Sequence, residues 1–201
     1  MDGVRSPEDG QCRSKYRRQI GPMISARKAS EYTADYRLRD GRRIEIRALR
    51  RDDRSKLISA IEGSSDQSIY RRFFGARRHF TEQEISFFLD IDFIDHVALV
   101  AVADNDGQSQ IAGGGRYIVV QPDQAEIAFI VVDQYQGQGI GTALMKHVGI
   151  LARDAGVREL IAEVLPENAA MLKVFRSSGY PISTTREPGV MRVRLQLRND
   201  S

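Results

Sequence analysis

A glycine-rich segment in the second half of the chain restricts the fold more than any other feature. Its sequence is Gln136-Gly137-Gln138-Gly139-Ile140-Gly141-Thr142. The apolar run from Ala125 to Val132 predicts a strand before it, and apolar residues at helical spacing predict a helix from about Gly139 to Ala155 after it. Glycines let backbone N–H groups approach a ligand closely, and the N-terminus of a helix attracts anions. The segment therefore predicts a strand-to-helix turn that binds a diphosphate.

Two common phosphate-binding motifs do not match this turn. A Walker A loop requires Gly-Lys followed by Ser or Thr, which is absent here, and the Rossmann fingerprint would place its third glycine at Thr142. A tight turn without a ligand is the alternative to a different phosphate-binding loop.

The other patterns predict a mixed α/β domain with a mostly antiparallel central sheet and flanking helices. Asp40-Gly41 between alternating segments predicts a hairpin, and Thr81 with Glu84 predicts a capping box at the start of a helix. Further strands are predicted at 96–103, 110–120, 125–132, 158–164 and 190–197. Helices are predicted between 52 and 74 with a break near Gly63, from about 139 to Gly156, and from Pro166 to Gly179. Residues 1–33 mix charges with Ser, Gly and Pro without an apolar period, which predicts a flexible N-terminal extension. The folded domain is predicted to span residues 34–201.

Composition excludes several classes of function. The chain of 201 residues is 41% hydrophobic and 28% charged, and its longest apolar runs are far shorter than the roughly 20 residues of a membrane-spanning helix. The N-terminus lacks a secretory signal pattern, so we expect a cytoplasmic protein without a membrane partner. Cys12 is the single cysteine, and the three histidines are not spaced as ligands, so we predict no catalytic metal. The net charge of +3 comes with interleaved acidic residues, and no nucleic-acid-binding motif is present.

Two motifs together resemble those of the GNAT acetyltransferase superfamily. Gln136-x-x-Gly139-x-Gly141 is similar to the Arg/Gln-x-x-Gly-x-Gly/Ala motif of that superfamily. The downstream segment Glu163-Val164-Leu165-Pro166-Glu167-Asn168, followed by Gly179-Tyr180, resembles its fifth strand and fourth helix. The resemblance covers about residues 36–198 and is closest to the catalytic domains of bacterial protein lysine acetyltransferases. Those domains contain segments similar in sequence to Arg71-Arg72-Phe73-Phe74-Gly75 of this chain.

The resemblance implies a GNAT-like acyltransferase fold and acetyl-CoA as cosubstrate. Backbone groups of Ile130, Val131 and Val132 are expected to hold the pantetheine arm as an extra strand would. The segment Gln136 to Thr142, that is Gln136, Gly137, Gln138, Gly139, Ile140, Gly141 and Thr142, is expected to bind the pyrophosphate. Asn168 is expected to contact the arm from the following helix.

Three side chains are candidates for catalysis. An amine is mostly protonated near neutral pH, so a base must remove a proton before the amine attacks the thioester. Glu126 interrupts an apolar strand on the same face as Ala128, and the corresponding position in lysine acetyltransferases resembles the general base. Glu163 lies where other GNAT enzymes place a base, with a structural role as its alternative. His96 is a third candidate, to orient water or substrate, and is also compatible with a structural role.

One position departs from the family pattern. Many GNAT enzymes carry a tyrosine seven residues after the helix asparagine, as general acid to the leaving thiolate, and here that residue is Phe175. A coenzyme A thiol leaves as a fairly stable thiolate, so the departure is compatible with turnover.

The sequence thus predicts an acetyl-CoA-dependent N-acetyltransferase whose acceptor is the side chain of a protein lysine. The alternatives are a small-molecule amine acetyltransferase and a non-catalytic acyl-CoA sensor. Arginines between Arg71 and Arg78 are expected to grip acidic residues that flank the acceptor lysine. A homodimer stays open as an alternative to a monomer.

Overall fold

The computed structural model describes residues 27–38, 40–75, 79–105 and 107–197. Most of the predicted N-terminal extension, including Cys12, lies outside these residues, as do Arg77 and Arg78. The last part of that segment is described: residues 27–30 form a helical turn, and Ala29 is only 2% exposed against the core. Residues 27–33 therefore pack with the domain.

Eight strands form a single sheet within the described part of the chain. Their order across the sheet is β1-β2-β3-β4-β5-β6-β8-β7. The strands are β1 (Thr33–Arg37), β2 (Arg43–Ala48), β3 (His96–Asn105), β4 (Gln108–Gln121), β5 (Gln124–Val131), β6 (Glu159–Val164), β7 (Ile182–Glu187) and β8 (Val190–Gln196). Every neighbouring pair is antiparallel except β5 and β6, which are parallel. This confirms the predicted mixed, mostly antiparallel sheet.

Helices cover both faces of this sheet. They are α1 (Arg54–Glu62), α2 (Asp66–Phe73), α3 (Glu82–Leu89), α4 (Ile140–Asp154) and α5 (Ala169–Arg176). On one face, Leu57 of α1 and Leu89 of α3 pack against Ala98 and Val100 of β3. On the other face, buried residues of α4 join the main core cluster with the remaining strands. The sheet is therefore the middle of three layers, as its strands require to bury both faces.

Strand β5 distributes its side chains between these layers. Ala125, Ile127 and Phe129 are buried in the core beneath α4, and Glu126 and Ala128 point to the opposite face, because side chains alternate along a strand. Glu126 is thereby the exposed carboxylate of an otherwise apolar strand. The period-two pattern, visible in the sequence, fixes the face on which this carboxylate lies.

Most predicted elements are present, and the capping box is confirmed. Thr81 Oγ1 accepts a hydrogen bond from the backbone N–H of Glu84, whose carboxylate accepts one from the backbone N–H of Thr81. The prediction that Pro166 opens the last helix is wrong. Asn168 is the N-cap of α5, because its Oδ1 accepts from the backbone N–H of Met171, so the helix begins at Ala169. Strand β7 was missing from the predicted elements.

Candidate active site

The site forms where two neighbouring strands separate. β5 and β6 pair only from Gln124 to Glu126 and from Glu159 to Ile161, although both strands continue for several residues. Beyond Glu126 the edge of β5 that faces β6 has no strand partner in the described structure. A cleft of about 690 Å³ opens there. Its backbone edges are available to a ligand that runs between the strands.

The glycine-rich turn closes one end of this cleft. Gly137 and Gly139 have φ values of +75° and +97°, a conformation that favours glycine. Gly139 is the N-cap of α4, and no side chain caps this helix. The first N–H groups of α4 are therefore free to bind an anion, which is the requirement for a pyrophosphate. A Cβ at Gly141 would lie 3.3 Å from Cγ2 of Val174, so this glycine allows α4 to approach α5.

The side chain of Gln136 anchors the turn. Its Nε2 donates to the backbone carbonyl of Val131 at 3.0 Å and to Oγ of Ser68 at 3.0 Å. The carboxylate of Asp133 accepts from the backbone N–H and hydroxyl of Ser65 and from the hydroxyl of Ser68. These bonds lower the pKa of Asp133 against an opposing effect of burial, which is the larger single influence. The network joins the turn to the start of α2.

Most of the predicted cofactor-binding residues line the cleft. They are Ile130, Val131, Gln136, Gly137, Gly139, Ile140, Gly141, Thr142 and Asn168. Val132 and Gln138 are not part of the lining. The backbone N–H of Val132 bonds to Ala112, and Gln138 accepts a hydrogen bond from Arg42 and donates one to the carbonyl of Gln134. The Oδ1 of Asn168 caps α5, which leaves its N–H₂ group as the donor toward the cleft.

Phe175 occupies the place of the family tyrosine. It is 1% exposed, and its ring centroid lies 6.1 Å from that of Phe129 in the core below β5. Part of its surface lines the cleft. This side chain provides an apolar wall and no proton donor.

Glu126 lies in the cleft on the face of the sheet that carries α2. The guanidinium of Arg72 on α2 is close enough to interact with its charge. Burial lowers the pKa of Arg72 to about 10, and the negative charge of Glu126 opposes this shift. The structure therefore places a positive charge within electrostatic reach of the candidate base.

Glu163 has a different environment. It stands opposite Arg192 in the β6–β8 pair, and its Oε1 is 3.1 Å from the Arg192 guanidinium. The carboxylate is half exposed, at 51% for its side chain. The same arginine also contacts Glu187 at 3.2 Å. Glu163 lines the cleft, but its contacts are those of an exposed cross-strand ion pair.

His96 is not among the residues that line the cleft. It is 8% exposed, its ring stacks on Phe87, and its Nε2 is 3.1 Å from Nη1 of Arg116. Burial, and next the charge of Arg116, lower the pKa of His96 to about 4, despite opposing effects from Asp92 and Asp90. The ring is neutral at physiological pH, and its Nε2 lone pair faces a guanidinium donor.

The sequence analysis named one basic residue of the site and missed two others. Arg71, which it placed among the residues that grip the acceptor, lines the cleft, and its Nε is buried without a hydrogen-bond partner. Lys173 of α5 lines the cleft from the opposite side. Arg116 of β4 reaches the face that carries Glu126, where it is the register partner of Ala128. Period two along β4 assigns Arg116 to a face, but only the register between β4 and β5 places it near the candidate base.

Two classes of site are absent from the described residues. No group of three or more His, Cys, Asp and Glu side chains in this part of the chain is arranged to hold a metal ion. Within the same residues, no helix combines the length and the apolar character needed to cross a membrane.

The parallel strands β5 and β6 separate beside an uncapped helix N-terminus, which leaves backbone edges for an extended chain and N–H groups for a terminal diphosphate. Together with a carboxylate at the point of separation, this arrangement fits the acyltransferase class that the two sequence motifs predicted, in which the acyl donor is a coenzyme A thioester.

Comparison with known proteins specifies the class further. Residues 67–180 match the acetyltransferase (GNAT) family. An acetyltransferase of Pseudomonas aeruginosa is 31% identical over 144 residues, which are 71% of this chain and 77% of that protein. The acetyltransferase Pat of Mycolicibacterium smegmatis is 29% identical over 71% of this chain and 42% of its own length. The crystal structure of the GNAT domain of S. lividans PAT superimposes with a TM-score of 0.74 at 36% identity, covering 82% of this chain and 96% of that domain.

The chain belongs to the GNAT acetyltransferase family. It is an N-acetyltransferase with the fold of that family, and acetyl-CoA is its cosubstrate. These findings confirm the fold, the enzyme class and the cosubstrate predicted from the two motifs.

Proposed function

We propose that the chain transfers the acetyl group of acetyl-CoA directly to the ε-amine of a protein lysine, with Glu126 as general base. The observation that carries the proposal is the position of Glu126 in the cleft, at the residue where β5 and β6 stop pairing. An acetyl thioester whose arm follows the free edge of β5 and whose pyrophosphate binds the turn has its reactive end near this carboxylate. Glu163, in contrast, is held by Arg192 on the neighbouring strand.

The reaction is a direct displacement. Glu126 takes a proton from the lysine ammonium, whose free pKa is about 10.4, either directly or through water. The nitrogen lone pair then attacks the thioester carbonyl carbon and the C–N bond forms. The C–S bond breaks as coenzyme A leaves as a thiolate, and the nitrogen releases its second proton to water. A thiol with a pKa of about 8.5 is a good enough leaving group to depart as the thiolate and to take up a proton from the medium without a dedicated acid. The Phe175 side chain at the usual acid position is consistent with this step.

The charge around Glu126 supports a protein acceptor over a polyamine. Arg71 and Arg72 from α2 and Arg116 from β4 place positive charge near the base. A small, multiply charged cation would need carboxylates there, because its charges must be neutralised when it leaves water. Exposed aromatic side chains also border this side of the molecule: Phe74 lines the cleft, and Phe87, which is 54% exposed, stacks on His96. Such groups suit contact with a protein surface.

The direct experiment is transfer of label from radioactive acetyl-CoA. The purified protein is incubated with deacetylated cell lysate and, separately, with a panel of amines that includes polyamines. We expect labelled proteins and label on lysine after proteolysis. Rapid labelling of a free amine with no labelled protein would overturn the protein acceptor in favour of a small-amine acceptor. Acetyl-CoA binding without transfer to any acceptor would favour the sensor alternative.

The role of Glu126 is tested by a matched pair of substitutions in the same cleft. Glu126→Gln removes the base and should lower kcat by about 10²-fold or more, with little change in acetyl-CoA affinity. Glu163→Gln removes a carboxylate already paired with Arg192 and should leave kcat within a few-fold of wild type. Full activity of Glu126→Gln together with an inactive Glu163→Gln would transfer the role of base to Glu163.

A further inference from the structure

Two guanidinium groups lie on the face of the sheet that carries the base. Arg72 comes from α2, and Arg116 comes from β4, where it pairs with Ala128, two residues from Glu126. Both arginines line a cavity of about 60 Å³ between the sheet and helices α1 to α3. Arg72, Phe73, Ala128 and Ile130 line this cavity and the main cleft alike, so the two spaces share a wall.

The groups packed around these arginines neutralise them only in part. Arg72 covers the ring of Phe73 at 4.7 Å, and Arg116 covers the ring of Phe88 at 5.0 Å. The Nη1 of Arg116 faces the neutral ring of His96. The carboxylate of Glu126 acts on Arg72. Asp90 and Asp92, from the segment after α3, act on His96.

The electrostatic cost of this arrangement is visible at both arginines. Burial lowers the pKa of Arg72 to about 10, and burial together with the charge of Arg72 lowers the pKa of Arg116 to about 9. Both groups remain protonated at neutral pH. Two buried positive charges beside the single carboxylate of Glu126 are unfavourable, and an incoming anion relieves that cost.

We propose that Arg72 and Arg116 bind a carboxylate of the acceptor, so that the enzyme prefers an amine with a carboxylate close to it. The inference rests on the proposed transfer to an amine deprotonated by Glu126, and it adds the group that the acceptor must carry. A guanidinium offers a planar fork of donors that matches a carboxylate. The cavity has room for a few water-sized groups, which suits a carboxylate better than a bulkier anion.

Aromatic and aliphatic groups form most of the cavity wall and strengthen this recognition. Phe73, Phe88 and Leu57 line the cavity together with the two arginines. Charge-assisted hydrogen bonds are stronger in such surroundings than in water. In a protein acceptor the carboxylate is the side chain of an Asp or Glu beside the lysine, and in a free amino acid it is the α-carboxylate.

Matched acceptors separate these two sources. The first pair is a peptide with a single lysine flanked by alanines, with one neighbouring position occupied by Glu or by Gln; the Glu/Gln position is varied over the two residues on each side. The second pair is free lysine and cadaverine, which is lysine without its α-carboxylate. For the peptides we expect kcat/KM to be about tenfold higher with Glu than with Gln at the best position, in low salt.

Substitutions connect the preference to the cavity. Arg116→Gln should abolish the Glu preference and leave acetyl-CoA affinity unchanged, because Arg116 does not line the coenzyme cleft. Arg116→Lys keeps the charge without the fork and should retain part of the preference, and it serves if the Gln variant fails to fold. Arg37→Gln, at an exposed position on β1 at the far edge of the sheet, is the matched control and should keep the full preference.

Each outcome has one meaning. Equal kcat/KM for Glu and Gln peptides with wild-type enzyme, or a preference that persists in Arg116→Gln, would overturn the carboxylate subsite while leaving lysine acetylation intact. A preference for free lysine over cadaverine that depends on Arg116, with every peptide unmodified, would keep the subsite and overturn the protein acceptor.

Discussion

At the scale of single residues, the glycines of the turn meet a conformational and a chemical requirement. A Cβ built on Gly137 would meet no atom within 4 Å, and one on Gly139 would meet only the Tyr36 hydroxyl at 3.9 Å. Both positions therefore have room for a larger side chain, and steric clash does not explain the glycines. The restriction is the left-handed backbone, and the proposed close approach of a diphosphate to N–H groups at the start of α4 is a second reason for glycine.

A substitution pair at Gly139 separates shape from charge. Asn and Asp have nearly the same size, and both tolerate the left-handed conformation better than other residues. Gly139→Asp adds a negative charge where we propose that the pyrophosphate binds, so its dissociation constant for acetyl-CoA should exceed that of Gly139→Asn by about tenfold or more. Calorimetry measures both constants. Equal affinities for the two variants would place the pyrophosphate elsewhere.

His96 makes the stability of the protein depend on pH. A histidine in the unfolded chain has a pKa of about 6.5, whereas the pKa of folded His96 is about 4. Between these values the unfolded chain binds a proton that the folded protein does not. The free energy of unfolding therefore falls as the pH drops below about 6.5, and His96 adds no pH dependence above it.

This dependence is measured by urea unfolding at pH 7 and pH 5. His96→Gln should lose less stability than wild type between these two values, by about 1–2 kcal/mol. His79→Gln, at an exposed position, is the control and should follow the wild-type profile. Parallel profiles for wild type and His96→Gln would mean that His96 is not held neutral by its surroundings.

The sequence predicted single residues well where a local rule applies. The spacing of Thr81 and Glu84 specifies a capping box, and alternation along β5 specifies the face of Glu126. The sequence did not predict contacts between residues that are distant in the chain. Glu163 meets Arg192 through the register of β6 and β8, and Arg72 comes close to Arg116 only once α2 packs on the sheet.

At the scale of elements, a buried ion pair joins β2 to the start of α1. The guanidinium of Arg47 binds both carboxylate oxygens of Asp53 at 2.7 Å, and both side chains are almost fully buried. The backbone N–H of Arg50 donates to the same carboxylate at 2.9 Å. Burial would raise the pKa of Asp53, but the bonds to Arg47 and Arg50 together hold it below its usual value. The pair fixes the connection that leads from β2 into helices α1 to α3.

Removal of the charge at Asp53 should be costly. Asp53→Asn leaves Arg47 buried without its anion, and we expect a loss of about 3–5 kcal/mol in the free energy of unfolding. Glu45→Gln is the matched control, because Glu45 contacts the same arginine at 3.7 Å with a side chain that is 43% exposed. It should cost less than about 1 kcal/mol. Equal losses in urea titrations of the two variants would contradict this account.

Two errors in the predicted elements have identifiable causes. β7 is an edge strand with the sequence Ile-Ser-Thr-Thr-Arg-Glu and mostly exposed side chains, so it lacks the alternation that marks a half-buried strand. Pro166 suits the first position of a helix, but Asn168 supplies the stronger N-cap and starts α5 at Ala169. The glycine-rich turn was predictable because it combines both a strand and a helix signal with glycines that only a close ligand or a left-handed backbone requires.

At the scale of the whole molecule, the short pairing of β5 with β6 joins two parts of the sheet, β1 to β5 and β6 to β8. We call this boundary the seam. β1 to β5 pair extensively with their neighbours, and so do β6 to β8, but β5 and β6 share only three register pairs. The opposing edges of Ile127–Val131 and Ala162–Val164 face each other across the cleft without strand pairing. Backbone groups on such edges are exposed to solvent and open readily.

Acetyl-CoA should therefore stabilise the seam as well as the turn. A ligand whose arm follows the edge of β5 and whose pyrophosphate binds the N-terminus of α4 bridges the two ends of the sheet. Binding to the folded state alone raises the free energy of unfolding by about 2.7 kcal/mol at a hundredfold excess over Kd.

In hydrogen exchange followed by mass spectrometry, protection should increase in peptides that cover 127–131 and 137–142, and to a smaller degree 162–164. Strand β1, at the far edge of the sheet, provides the internal control and should change only by the global increase in stability. Protection confined to residues 137–142 would show that the turn binds the diphosphate while the strands take no part in holding the arm, and the expected path of the thioester toward Glu126 would then be wrong.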